Sequence, residues 1–548
     1  MTGRILQRYS RPSASLRNTV ATTVALAVWA FLVWRGLGTF GPDRDLNNVD
    51  FNSDSAIPVL MSNDDRPLTV FNLYYYSADR WGAWPFLVTR FVGHITGYTW
   101  TPESLFTVQA IWVFLGAVVF AGLSGSARFA GAAAYLIALC LHGESRYLLF
   151  ELSQTYAWQT TALLLGWYCA RRMFDAHFET ANADLPPRRL RWFLLSTGFS
   201  FLAVWSSVAS TPFLLFLVSL EGVRGVLKEG AERSRKSVLR PYGLALTAVL
   251  AATVVERLQK AAYHRYGLTH YGNDFQAHFR PDTGHLAENF STMARELRAL
   301  SWYPLYLVPV LASIAFAATL AYALIRRRRD LASELRAAVA SDGAIAAMAA
   351  LGIAALNFTL AVLVDHVRIN GYDARFLTLT NLFGPISGIL TIFLLIERSV
   401  QATRFRTYAQ PAFAVLAVVL LAVRFPSAPH NPRYELDKTT ARAIARKAPG
   451  RVLMGSFWET YLFAALQRKD AMMVPVPFQD QVLATPWTPA LLRRSDQVIV
   501  AFRRDPYGMV RPRARELRQY GVRLRLLDAN WYENKTYVFA LYVNEDAP

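Results

Sequence analysis

The sequence predicts an α-helical polytopic membrane protein of about eleven transmembrane helices, followed by a small soluble α/β domain. Of the 548 residues, 53% are hydrophobic and only 18% are charged, which is more apolar than an ordinary soluble protein. Several apolar runs reach the roughly 20 residues that a helix needs to cross a bilayer. The net charge of +19 comes from basic residues in short loops between these runs, as the positive-inside rule predicts. A nucleic-acid partner is therefore not expected.

The basic loops also orient the chain. Four arginines precede the first apolar run, so the N-terminus is expected in the cytoplasm and the loop 38–103 outside. The same alternation places the C-terminal domain outside the cell. Short loops and one retained first span favour a bacterial inner (cytoplasmic) membrane. The predicted spans are 18–37, 104–123, 129–142, 147–170, two arms within 192–223, 241–258, 303–325, 343–364, 376–396 and 409–424.

Two apolar runs are not predicted to be single membrane spans. If 192–223 were one helix, the basic residues that follow it would lie outside, so a helical hairpin that turns near 206–212 is expected. Each arm is short, and the turn is expected to stop within the outer leaflet. The run 81–98 is interrupted by a proline and an arginine, which favours a helix lying in the membrane interface.

The composition changes after Arg424, which divides the chain into a transmembrane domain, 1–424, and a soluble domain, 425–548. No phosphate-binding loop or nucleophile elbow is visible in the second domain, so a cap or acceptor-binding role is expected. Helical patterns lie near Trp458–Gln467 and Arg511–Tyr520. Strands are expected at Arg451–Gly455, Met472–Val476, Gln497–Ala501, Val522–Leu527 and Thr536–Val543.

The loop 38–103 is unusually acidic for so basic a chain. Asp54 is the first candidate for a general base, because an apolar stretch follows it at once and a carboxylate near an apolar surface can have a raised pKa. Asp79 and Asp50 are the next candidates. The remaining acids of the loop, among them Asp64, are expected to be solvated. An alternative for any such aspartate is helix capping or loop solvation.

Further candidates lie in the other outer loops. Arginine suits forked recognition of phosphate oxygens, which favours Arg375, Arg368 and Arg80 as phosphate-binding residues. The alternatives are an interfacial aromatic belt for the tryptophan of the first loop and a solvated connector for 365–376. The histidines of 264–285 fit no standard metal spacing, so no metal site is assigned. Candidate substrate-binding residues are Tyr372, Asp373, His366, Asn370, Trp84, Glu144 and Arg146.

This layout resembles the GT-C superfamily of membrane glycosyltransferases. Ser53–Ala56 is similar to the Asp-Glu motif that many members carry after the first span, although Ser55 stands where the second acid is usual. Trp205 and Pro212 in the hairpin, and Tyr372–Phe376 before a late span, are similar to elements of the protein mannosyltransferase and aminoarabinose transferase branches.

The resemblance implies an inverting transfer of a sugar from a polyprenyl-phosphate donor, with Asp54 as base and Arg375 or Arg368 offsetting charge on the leaving phosphate. No cofactor is required, although a Mg or Mn ion held by Asp50 and Asp54 is compatible with it. The expected partners are the lipid-linked donor, membrane lipid and a glycan, lipid or protein acceptor.

Two other functions remain open from the sequence. A transporter or flippase of lipid-linked glycans would place ionisable residues at mid-membrane. Glu151 and Glu256 are candidates for that role, but both lie near predicted span ends. A glycan polymerase or ligase would also act on the outer face, and would differ in using a donor that carries a chain of sugars.

Overall fold

The computed structural model combines a helical part with a C-terminal part built on one six-stranded sheet. The predicted first span, most of the last one and Asp50 lie outside the residues that it describes. The described residues are 51, 53–75, 78–141, 148–179, 186–229, 235–266, 281–326, 329–399, 413, 415–417, 419, 430–467, 473–479, 487–504 and 514–547.

The helical part opens with a short buried helix and a small hairpin, and continues through long helices. The hairpin strands are β1 (Tyr74–Tyr75) and β2 (Ala78–Gly82). The helices are α1 (Ser53–Ser62), α2 (Trp84–Thr96), α3 (Pro102–Leu123), α4 (Arg128–Leu141), α5 (Tyr156–Glu179), α6 (Pro186–Ser206), α7 (Ser210–Glu229), α8 (Arg235–Tyr266), α9 (Leu286–Ala299), α10 (Pro304–Ile325), α11 (Arg329–Val339), α12 (Asp342–Leu363), α13 (Asp365–Ile369) and α14 (Thr378–Ser399).

Six helices of the described residues are long and apolar enough to cross a membrane, which confirms a membrane protein but not the number eleven. α5 and α6 are also long, with 24 and 21 residues, but each carries charged residues at one end. The six segments are Pro102–Leu123, Ser210–Leu227, Val238–Arg265, Pro304–Ala323, Asp342–Leu363 and Arg375–Arg398.

The run 192–223 does break into two helices, at residues 207–209. The expectation that each arm is short is wrong, because the helices extend through their charged ends to 21 and 20 residues. At 1.5 Å per residue each is about 30 Å long, enough to span the hydrocarbon core. The span expected at 147–170 instead becomes α5, which begins at Tyr156, because the preceding residues from Glu151 leave the helix.

The C-terminal part forms a mixed sheet in the strand order β4-β3-β5-β8-β7-β6. Its two parallel pairs join β3 to β4 and β5, and the other pairs are antiparallel. The strands are β3 (Val452–Gly455), β4 (Val474–Pro477), β5 (Gln497–Arg503), β6 (Glu516–Gln519), β7 (Val522–Glu533) and β8 (Tyr537–Asn544), and the helices are α15 (Pro432–Lys447), α16 (Phe457–Ala465) and α17 (Thr488–Arg493).

The helix expected at Arg511–Tyr520 is wrong, because residues 516–519 form β6. β6 turns directly into β7 through Tyr520 and Gly521, whose φ angles are 53° and 78°. Two consecutive left-handed residues make the tight hairpin turn that matches strand twist. Pairing with β7 therefore outweighs the local helical pattern.

One hydrophobic core runs from the helical part into the C-terminal part. Alternate residues of β3 and β5 point to opposite faces of the sheet. Leu453 and Ile499 join the large core that contains α1, whereas Val452 and Val498 join a separate cluster on the other face. α1 packs against α16 as well as against α2 and α3. The C-terminal part is therefore packed directly on the start of the outer loop.

Candidate functional site

The first candidate residue, Asp54, lies in the first turn of α1 and is half-buried. A carboxylate at this end of a helix is favoured by the helix dipole. Most of α1 behind it is buried in the core, which holds the turn in place. Ser55 is only 5% exposed. A second acid at that position would be desolvated and would need its own partner.

A second carboxylate, that of Glu151, acts on the same tyrosine as Asp54. Tyr75 of β1 is buried, and its hydroxyl donates to the carbonyl oxygen of Leu152 at 3.0 Å. The pKa of Tyr75 is raised well above its ordinary value, first by burial and then by the negative charges of Asp54 and Glu151. The negative charges of both carboxylates therefore act on one buried phenol, and each disfavours its ionisation.

The segment that carries Glu151 is fixed by α3. Gln109 of α3 donates from Nε2 to the carbonyl oxygens of Leu149 and Glu151, at 3.0 and 2.8 Å. From the sequence, Glu151 was a candidate only for the transporter alternative and was not connected with Asp54. The available signal was the polar stretch 151–155, which interrupts an otherwise apolar run.

The neighbouring tyrosine ties the outer loop to α8. Tyr74 donates from its hydroxyl to Oε1 of Glu256 at 3.3 Å, and its ring lies edge-on to Tyr263 at 4.9 Å between centroids. Glu256 is 4% exposed. Glu256 thus bonds to the same short strand that carries Tyr75, and it helps to hold that strand against α8.

Two residues of the outer loop are packed rather than open. Asp64 was expected to be solvated, which is wrong: it is 9% exposed and pairs with Arg66 at 2.8 Å and Arg90 at 3.7 Å. Trp84 is 6% exposed and donates from Nε1 to the hydroxyl of Ser206 at 2.8 Å. The ring of Trp84 also makes edge contacts with those of Trp112 and Trp158.

Two of the three candidate phosphate-binding arginines, Arg368 and Arg375, lie between α12 and α14, and both are already paired. Arg368 bonds to Asp282 at 3.0 Å and Asp365 at 2.7 Å. Arg375 lies 3.4 Å from Asp373 and donates to Oδ1 of Asn370 at 3.0 Å. The side chain of Arg375 is 36% exposed, so it retains surface that a ligand can reach.

The same loop is pinned to the start of α9. Tyr372, whose φ is 60°, donates from its hydroxyl to Oδ1 of Asn289 at 2.9 Å. Asp282 accepts from Arg368 and lies 2.8 Å from Nδ1 of His285, and these bonds hold its pKa below the ordinary value. A non-glycine residue in the left-handed region is held there by its surroundings, so this loop has a defined shape.

The remaining candidates lie beyond the described atoms. Asp50, Glu144 and Arg146 fall outside the described residues. The backbone of Asp79 and Arg80 belongs to β2 and that of His366 to α13, but their side chains are not described.

Metal binding was expected to be optional. In the described part of the chain, no three His, Cys, Asp or Glu side chains are grouped to hold an ion. A Mg or Mn ion shared by Asp50 and Asp54 stays a prediction, because Asp50 lies outside the described residues.

Solved structures offer a comparison for this arrangement. The chain is similar to ArnT from Cupriavidus metallidurans at 13% identity and a TM-score of 0.43, over 98% of this chain and 100% of that one. It is also similar to the apo oligosaccharyltransferase of Archaeoglobus fulgidus, at 14% identity and a TM-score of 0.41, over 84% of this chain and 64% of that one. These neighbours are GT-C transferases.

A further structure of the archaeal enzyme, AglB in complex with an inhibitory peptide and a dolichol-phosphate, matches at 13% identity with a TM-score of 0.38. The match covers 88% of this chain and 73% of that one. No protein-family model and no curated protein matches the chain.

Proposed function

We propose that the protein is a membrane glycosyltransferase that moves a sugar from a polyprenyl-phosphate donor to an acceptor on the outer face of the membrane. The observation that carries the proposal is that Asp54 lies in the first turn of the buried helix α1, where its negative charge and that of Glu151 both act on the buried Tyr75. Two carboxylates on separate elements can divide the work of accepting a proton and orienting the hydroxyl or amine that loses it.

The proposed roles follow from the surroundings of each group. Asp54 accepts the proton of the acceptor as the acceptor attacks the anomeric carbon. Glu151 orients the acceptor or keeps Asp54 poised, and Arg375 offsets charge on the departing lipid phosphate, as fixed cations do in phosphate-leaving reactions. Attack opposite the leaving group inverts the anomeric centre. Asp79, Asp50, Arg368 and Arg80 remain candidates for supporting roles.

The substrate-binding residues are proposed on the same basis. Tyr372, Asp373, Asn370 and His366 belong to the shaped loop beside Arg375, and Glu144 and Arg146 precede the segment that carries Glu151. Trp84 would act by packing beneath the outer loop, since only 6% of it is exposed.

The proposal includes a topology. With the basic loops inside, about eleven spans place α1 and the 425–548 domain on the extracytoplasmic side of a bacterial inner membrane. The donor then reaches the site from the bilayer, and the acceptor from the membrane surface or the outer aqueous space.

The test is mass spectrometry of lipid-linked sugars in cells whose own copy is deleted and replaced by variants. Asp54→Asn should accumulate a monosaccharide on lipid phosphate, with transfer reduced roughly 10²–10⁴-fold, the range for a lost general base. Glu151→Gln should lower transfer roughly tenfold or more by the same reasoning. Immunoblots of the membrane fraction check that each variant is inserted.

The matched control is Asp330→Asn, which makes the same chemical change at an exposed position on α11. This control should restore wild-type transfer. Normal transfer by Asp54→Asn would remove Asp54 as the base. Accumulation of a long, untransferred glycan on the inner leaflet would instead support a flippase.

A further inference from the structure

A cavity of about 930 Å³ lies where the outer loop and α3 meet the C-terminal part. One wall is formed by the residues on either side of α2 and by the start of α3, including Asp65 and Glu103. The other wall is formed by α15 and the end of α16. Its volume is in the range of about 300–1,000 Å³ that is typical of ligand pockets. We call this cavity the junction cleft.

One face of α15 lines the junction cleft. Tyr434, Lys438 and Arg442 follow each other at intervals of four residues, the spacing that aligns side chains along a helix. Lys438 bonds to Glu103 at 2.6 Å, and the hydroxyl of Tyr434 donates to the same carboxylate at 2.8 Å. This three-group cluster joins the two walls and fixes the width of the cleft at that point.

Two side chains that line the junction cleft can donate further hydrogen bonds. Gln467 is 7% exposed, and its Oε1 accepts from the backbone N–H of Met473 at 2.6 Å. Within the described residues, Nε2 of the same amide has no acceptor. A buried amide group without a partner costs free energy, which a ligand that supplies an acceptor would recover. Arg442 is exposed and has no ion pair with any residue that the structure describes.

The lining indicates the chemistry of the ligand. Two acidic residues, Asp65 and Glu103, balance two basic ones, Lys438 and Arg442. The cleft is therefore close to neutral and does not select a highly charged group. Its lining combines polar and apolar surface in similar amounts, whereas a site for a prenyl chain or an apolar side chain is predominantly apolar. The spare donors suit hydroxyl and ring oxygens, of which a sugar carries several on every face.

We propose that the junction cleft binds a neutral glycan, and that this glycan belongs to the acceptor or to the chain being built. That this glycan belongs to the acceptor or to the chain being built rests on the proposed glycosyltransferase function. The cleft lies beside α1, since its lining includes Asp65, three residues beyond that helix, and Tyr434, whose ring contacts Phe51 just before it. A glycan in the cleft would lie next to the helix that carries Asp54 in its first turn.

The test uses the full-length protein, purified in detergent micelles and fluorescently labelled, on a printed array of lipid-free bacterial oligosaccharides. The wild type should retain at least one neutral glycan. Arg442→Ala should weaken the apparent affinity roughly tenfold, as expected for a lost hydrogen bond from a charged donor. Gln467→Glu should weaken it similarly, because it keeps the oxygen that Met473 needs and replaces the spare donor with a negatively charged acceptor.

The matched control is Arg446→Ala, which removes an exposed arginine one turn further along α15 and should bind as the wild type does. Asp54→Asn should also bind normally, so a failure of the catalytic proposal remains separate from a failure of this one. Retention of no neutral glycan by the wild type would overturn the proposal. So would wild-type affinity in both Arg442→Ala and Gln467→Glu, or binding confined to acidic glycans or peptides.

Discussion

Asp54 and Asp64 lie ten residues apart on the outer loop, in very different surroundings. Asp54 lies in the first turn of a helix, and its negative charge adds to burial in raising the pKa of Tyr75. Asp64 is buried and pairs with Arg66, whose side chain is 38% exposed, and it receives a second, longer contact from Arg90. The ion pair of Asp64 therefore holds the loop together, whereas Asp54 stays the candidate for chemistry.

Acid should weaken the loop through Asp64. Burial alone would raise the pKa of Asp64, but the hydrogen bonds and charge of Arg66, with Arg90, hold it below the ordinary value of 3.8. The folded state then binds fewer protons than the unfolded state. The stabilisation is therefore complete above 3.8 and is lost as the pH falls through the lowered pKa. We therefore expect the unfolding temperature of the protein in micelles to decrease as the pH drops through that range.

Asp64→Asn should be less stable than the wild type at neutral pH, by about 1–3 kcal/mol, the range for a lost hydrogen bond to a charged group, because Arg66 keeps 38% of its side chain exposed. Its unfolding temperature should fall less steeply below pH 3.8. Asp330→Asn, at an exposed position, should follow the wild-type curve. Parallel curves for Asp64→Asn and the wild type in acid would contradict this role.

At the scale of whole elements, α10 approaches α14 closely at glycines of α14. Its apolar side chains, including Leu311 and Ile314, are largely exposed, as expected for a lipid-facing helix. Against α14, a Cβ atom at Gly388 would overlap the carbonyl oxygen of Leu305. Glycines allow this close approach of transmembrane helices. The hydroxyl of Tyr306 adds a hydrogen bond to Asn381 at 3.1 Å.

Gly388→Ala should force α10 away from α14 and destabilise the protein by about 1–3 kcal/mol, the usual cost of overpacking. Gly198→Ala is the matched control, since a Cβ atom there would meet nothing within 4 Å. That control should be neutral or more stable by about 0.5–1 kcal/mol, because alanine favours a helix. Thermal unfolding in micelles measures both, and equal effects would argue against the close contact.

At the scale of the molecule, the C-terminal part is docked on the outer loop and shares its core. The guanidinium of Arg66 lies 3.7 Å from the ring centre of Trp487, and Phe71 meets the same ring edge-on at 5.0 Å. Phe51, just before α1, makes an edge contact with Tyr434 at 5.7 Å. The soluble domain therefore supports the segment that positions Asp54.

Trp487→Ala should loosen that docking. The lost cation–π contact alone is worth about 0.5–2 kcal/mol, so amide hydrogen exchange in α1 should become several-fold faster. Leu527→Ala is the control, because Leu527 is 56% exposed on β7. Unchanged exchange in α1 of the Trp487 variant would show that α1 is held without the C-terminal part.

Local patterns predicted much of this organisation. The apolar runs and basic loops indicated a polytopic membrane protein, and the break of the 192–223 run followed from the charges on either side of it. Five expected strands of the C-terminal domain are present. β6 was missed because its short sequence has a helical pattern, and only its hydrogen bonds with β7 select the extended form.

The sequence by itself determined the membrane character of the chain and its strand-rich C-terminal part, since hydropathy and charge can be read from neighbouring residues, and it singled out Asp54 as a candidate. The tertiary structure alone decided that Glu151 acts on the same buried phenol as Asp54 and that Asp64 is buried and paired with Arg66. It also decided that α15 and α16 close a cleft over Glu103. Glu103 and Lys438 are 335 residues apart in the chain. Contacts of that range depend on how helices and sheet pack, and no local periodicity records them.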